Sequence, residues 1–131
     1  VTTVPRTSQF TGIDFRKYTD SGFLFTPEKY SGEYESIGIV NYKLLPAAEL
    51  IAPYGDPSYN GPYAKRWVEE DIYIGQVVDS LYVRSVEMGA DAVMNFEVIY
   101  ETEERVTTPP VTLHGWTARG FAIRRKLAPT R

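Results

Sequence analysis

His114 is the sole histidine of this 131-residue sequence, which has no cysteine. Thiolate zinc sites, redox pairs and a cysteine nucleophile are therefore excluded, and so is a multi-histidine metal site within one chain. The metal reading that survives is an intersubunit site to which each copy of the chain contributes one His114. The carboxylate runs Glu69-Glu70-Asp71 and Glu101-Thr102-Glu103-Glu104 lack the alternating Asp/Asn loop with glycine that calcium geometry favours. They read as a solvated helix start and a solvated hairpin.

For catalysis a nucleophile or base needs an orienting partner. Gly-x-Ser-x-Gly, a Walker loop, Gly-x-Gly-x-x-Gly and His-Glu-x-x-His are all absent. His114 is a candidate general base, and Asp79 and Glu87 fall within about 80° of one another around a helix axis, but nothing else selects them. The expectation is a protein that is not an enzyme, with no catalytic residue, no metal beyond the His114 candidate and no cofactor. A different chemistry is offered by Tyr54, Tyr59, Tyr63 and Trp67. Rigid amphipathic rings suit stacking on a saccharide or anchoring a protein partner; the alternative is that they fold back over the core edge.

The elements that must position these residues belong to one domain, residues 1–131. At this length a chain buries roughly two-thirds of its unfolded surface, enough for one core without disulfides. No stretch approaches the ~20 apolar residues of a membrane-spanning helix, and the N-terminus does not read as a signal peptide, so the chain is either cytosolic or had a targeting segment removed. Net charge is −3, with 8 basic and 17 acidic side chains in residues 1–104 and 6 basic and none acidic in residues 105–131. Arg119, Arg124, Arg125 and Lys126 lie in or beside a strand that can pair with a glutamate-bearing one, so no nucleic-acid partner is expected.

Residues 1–34 form an aromatic N-terminal extension, with Asp14 as N-cap and Gly22 as stop of one short helix, then an extended piece through Phe23-Leu24-Phe25. Residues 35–45 read as the first main strand, with a phase change near Val40. Residues 46–66 read as a long loop rich in tyrosine and proline. From Asp71 to Met88, Ile74, Val77, Val78, Leu81, Ser85 and Met88 trace a helical stripe, with Glu69, Glu70 and Asp71 at the positive end of its dipole and Gly89 as its left-handed stop. Gly75 marks an early turn or a close neighbour. Ala92–Glu101 and Thr112–Arg125 alternate as strands joined by a turn at Glu103–Pro110. His114, Trp116, Ala118, Gly120 and Ala122 fall on one side, where the small residues let the helix approach. Val93, Ile99, Phe121 and Ile123 are expected on the other, a face to be covered by the N-terminal segment, by self-association or by both.

The stretch Val86-Glu87-Met88-Gly89-Ala90-Asp91-Ala92-Val93 resembles the YbjQ-like family, named for heavy-metal binding, and Gly120-Phe121-Ala122-Ile123 is similar to the Gly-x-Ala-Val ending of that family's last strand. In both, glycine and alanine let the chain turn tightly into a buried strand, which marks Gly89, Ala90, Asp91 and Gly120 as structural turn residues. Over residues 35–126 the resemblance implies a dodecin-like subunit, a homo-oligomer without established enzymatic activity. The N-terminal extension and the tyrosine-proline loop look more like an exported Bacteroidetes-type relative, periplasmic or lipoprotein-anchored. The expected fold is α+β: a β-α-β-β core with one helix packed on a small, mainly antiparallel sheet. The expected function is a non-enzymatic binding or assembly module of the envelope, for interaction or stress sensing, with another envelope protein or a saccharide as partner. The alternative is a small-ligand or metal-binding protein, or an enzyme, using a cleft near His114 and the tyrosine loop.

Overall fold

The computed structural model describes residues 2–51 and 65–127. In chain order its elements are α1 (Arg16–Asp20), β1 (Leu24–Phe25), β2 (Tyr34–Leu44), β3 (Ala48–Ile51), β4 (Arg66–Glu69), α2 (Ile74–Glu87), β5 (Ala92–Arg105) and β6 (Val111–Arg125). The main sheet has the order β1-β5-β6-β2, antiparallel except for the short β1-β5 pair, and α2 packs on one face of it. This is the expected α+β architecture. Among the described residues no helix is long and apolar enough to cross a membrane, which says nothing of a β-barrel.

Helix α2 follows its sequence stripe: Val77, Val78, Leu81 and Ser85 are buried, at the 3.6-residue period of one helical face. It starts three residues later than the charge pattern suggests, because Gln76 Oε1 accepts the Tyr73 N–H at 2.6 Å and fixes the first turn there. Its end is set by glycine. Gly89 has φ +91°, its N–H donates to Val86 O at 2.9 Å, and the Ala90 N–H donates to Ser85 O at 3.0 Å, the two bonds of a Schellman stop. The chain then enters β5 directly at Ala92.

Opposite α2 the sheet presents Val93, Phe96, Ala118 and Ala122. Here the simple alternation fails. Asn95 has φ +53° and the β5-β6 register shifts between Met94 and Glu97, so two residues of β5 oppose Gly120 alone. The bulge reverses the phase of β5, and Val93, expected on the far face, lies in the helix-side core. Gly120 is likewise not a turn residue: it sits within β6 where a Cβ would overlap Val93 Cγ1.

The N-terminal extension serves both faces. Tyr18, Phe23 and Phe25 join the helix-side core, where Phe25 meets Phe96 at 4.6 Å and Phe23 meets Tyr82 edge-on at 4.9 Å between ring centroids. Leu24, Tyr30 and Tyr34 turn the other way and cover Ala92, Met94 and Ile123. Ile123 is thus fully buried, whereas Phe121 and Ile99 remain half-buried. A clamp fixes the arrangement: Asp91 Oδ1 accepts the Arg125 N–H at 2.8 Å, and the Arg125 guanidinium donates to Gly22 O at 2.7 Å. In α1 the N-cap by backbone geometry is Phe15, but Asp14 Oδ1 still accepts the Arg16 N–H at 2.9 Å. The hydrogen bonds from Arg16 hold the Asp14 carboxyl down at about 2.

Residues 46–66 are not loop throughout. Ala48–Ile51 pairs antiparallel with Arg66–Glu69 as a separate two-stranded sheet, and this ribbon leads to the site.

Candidate functional site

Strand β2 ends at Leu44, paired with Trp116, so the stretch of β6 before Trp116 pairs only with β5. Gly115 permits this exit, since any Cβ there would collide with the Leu44 carbonyl oxygen. The outward amides of β6 beyond that point need another acceptor, and β4 supplies one. Glu69, its last residue, accepts the His114 N–H through Oε1 at 3.0 Å. The same carboxylate meets the imidazole, with Nδ1 at 3.0 Å from Oε1 and 3.2 Å from Oε2. Two lone pairs would repel at that separation, so the hydrogen-bond network assigns the proton to Nδ1; in the neutral ring Nε2 is then an acceptor. Glu69 therefore does not serve the α2 dipole. Glu70 is engaged at the ribbon end, where its Oε1 accepts the Ala47 N–H at 2.9 Å.

The imidazole lies nearly parallel to the Tyr100 ring (25°, centroids 6.3 Å apart), and Tyr100 meets Trp116 edge-on, also at 6.3 Å. These rings wall a cleft of about 710 Å³. It is lined as well by the carboxylates of Glu69, Glu70 and Asp71, by the apolar Ile72, Ile74 and Val98, and by Gln9 and Thr11 of the N-terminal extension. Among the described residues no lysine or arginine lines it. Trp67 is not in the wall. Its indole N–H donates to Pro109 O at 2.6 Å, tying β4 to the β5-β6 turn and so holding Glu69 in reach of His114.

The other candidate residues are distributed elsewhere. Tyr54, Tyr59 and Tyr63 lie outside the described residues. Asp79 is bound by the Tyr18 hydroxyl and by Lys17 Nζ at 2.8 Å, and Glu87 faces Arg84 at 3.5 Å, so neither partners His114. Burial works to raise the Asp79 carboxyl, but the hydrogen bonds from Lys17 and Tyr18 prevail and hold it below the ordinary carboxylate value. Burial, with the adjacent Asp79 carboxylate, pushes the Tyr18 phenol well above its usual value. Glu101 and Glu103 lie 3.5 and 3.4 Å from Lys43, and Arg119 meets Glu97 at 2.5 Å.

The alternation of β6 brings out His114 and Trp116 together; Tyr100 follows once β5 and β6 are paired. Glu69 had no local signal. Among the described residues no three His, Asp or Glu side chains converge within one chain; toward a site shared between copies His114 would offer Nε2, since Nδ1 faces Glu69. The arrangement offers an oriented hydrogen-bond acceptor stacked beside Tyr100 in a cleft that Trp116 and three carboxylates also line.

No family model and no curated protein matches this chain. It is similar to a crystal structure of a protein of unknown function, of the DUF74 family, from Pediococcus pentosaceus, at 15% identity and TM-score 0.49 over 80% of this chain and 99% of that one.

Proposed function

We propose that the chain is a non-enzymatic binding module of the YbjQ-like kind, exported to the envelope, whose ligand sits in the cleft beside His114. The observation that supports this reading is the Glu69-oriented imidazole stacked beside Tyr100, which in turn meets Trp116 edge-on. Pockets with an aromatic lining and a few convergent polar groups are the usual form of a small-ligand site. The test is a titration of isotope-labelled protein with panels of saccharides, amines and carboxylates, followed by NMR. Shifts concentrated on the His114 ring and the Trp116 indole, and lost in His114→Ala, support the proposal. Shifts that ignore both residues overturn it.

A second reading, an acid-base enzyme, draws on the same dyad, because a carboxylate on Nδ1 is how a general base is oriented. Turnover abolished by both His114→Ala and Glu69→Ala would favour it. Self-association belongs to the proposal as well, but at a smaller patch than the sequence suggests: Phe121 with its exposed cross-strand neighbour Ile39. Native mass spectrometry reads the subunit number, and a bare monomer would remove that part.

A further inference from the structure

We infer that the ligand group taken by the His114 cleft is a primary ammonium, from a free polyamine or from a lysine side chain; this rests on the cleft being the ligand site. Charge decides first. The cleft is lined by Glu69, Glu70 and Asp71, and among the described residues no lysine or arginine lines it and no cationic side chain pairs with Glu70 or Asp71. With Glu69 set against His114, the carboxylates of Glu70 and Asp71 remain in the lining. The N-terminus of α2 brings roughly half a positive charge to the lining, which two full charges outweigh. Anionic ligands are thereby disfavoured.

Ring chemistry decides next. Tyr100 and Trp116 line the cleft with electron-rich rings, and a desolvated ammonium within about 6 Å of such a ring's face gains attraction beyond simple burial. A neutral apolar group would gain nothing from the carboxylates. Finally, the proton on Nδ1 leaves His114 Nε2 as an acceptor, which matches the N–H donors of a primary ammonium. An acceptor, two aromatic rings and a lining of carboxylates are the complement of one chemical group.

The experiment titrates the labelled full chain with putrescine, with Nα-acetyl-lysine methylamide and with the neutral isostere 1,4-butanediol, reading the His114 ring nitrogens and the Trp116 indole by NMR at low and high salt. The expected result is saturable shifts with both amines, at least tenfold weaker binding of the diol, and a roughly tenfold loss in Asp71→Asn, a lining substitution that touches no core contact. Tighter binding of the lysine derivative than of putrescine identifies a protein side chain as the source; the reverse identifies a free polyamine. If the diol, or a disaccharide run in parallel, moves His114 and Trp116 as strongly as the amines do, the ammonium inference is overturned while the cleft stands. If amines shift only residues remote from His114, both are overturned.

Discussion

Gly115→Ala tests the packing that opens the site. A Cβ at this position overlaps the Leu44 carbonyl oxygen and lies 3.0 Å from the Leu44 carbonyl carbon and 3.1 Å from Leu45 Cδ2. The leucine methyl can rotate away. The carbonyl cannot, because Leu44 is the last residue of β2 and is held in register against Trp116. The strand end must therefore move, and overpacking of this kind costs about 1–3 kcal/mol, here toward the upper end because the obstacle is backbone. For a domain of this size each kcal/mol lowers Tm by about 4 °C, so the expected drop is about 8–12 °C. Gly75→Ala is the matched control. It lies in the first turn of α2 with nothing within 4 Å of its Cβ position, and alanine there should raise stability by about 0.5–1 kcal/mol. Calorimetric melting of both variants, with the His114 ring resonances recorded alongside, gives the answer. An unchanged Tm in Gly115→Ala with an undisturbed His114 signal would refute the argument that this glycine is required for β2 to leave the sheet.

Leu81, 1% exposed at the centre of the α2 contact, should lose about 2–5 kcal/mol on replacement by alanine, read as a lower urea midpoint with an unchanged m-value. Stability should also fall at both pH extremes through the Tyr18-Asp79 pair. The depressed Asp79 carboxyl contributes above its ordinary value of 3.8 and loses that contribution as pH falls below it, while the raised Tyr18 phenol contributes below 10.0 and loses it as pH rises further, when the unfolded tyrosine ionises first. Tyr18→Phe should flatten the alkaline limb in urea titrations between pH 9 and 11, and an identical limb in the variant would count against the pair.

The parts of the fold that were legible in the sequence are those whose burial is periodic. The α2 stripe is local, so Val77, Val78, Leu81 and Ser85 declare the buried face without knowledge of their partners. The β5-β6 hairpin was legible in extent but not in phase. Asn95 adopts a left-handed conformation that asparagine tolerates better than most residues, and this one residue moved Val93 to the helix side. The β3-β4 ribbon was hidden, since Ala48–Ile51 is short, flanked by prolines and paired with Arg66–Glu69, a segment distant in sequence. For the site, alternation within β6 was enough to align His114 with Trp116. Glu69 was read as a helix-dipole residue because its local charge pattern fits that role, and only the register of β2 against β6 shows why the imidazole claims it instead.

The position of the cleft follows from unequal element lengths. A helix of 14 residues such as α2 is about 21 Å long, whereas a strand of 15 residues such as β6 runs about 50 Å. One helix therefore covers less than half of the hairpin. Its buried residues lie over Ala118 and Ala122, and its first residue, Ile74, marks where the cover stops. Tyr100, Trp116 and His114 occupy the overhang on the same face, and β2, with 11 residues, reaches Trp116 at Leu44 and ends before it can flank His114. A sheet face left in this way is either polar or covered. This one is aromatic, and the structure gives it a lining of carboxylates and an ordered imidazole where a second helix would otherwise lie. The overhang accounts for a ligand-sized opening in a domain whose core elsewhere closes tightly on alanine and glycine.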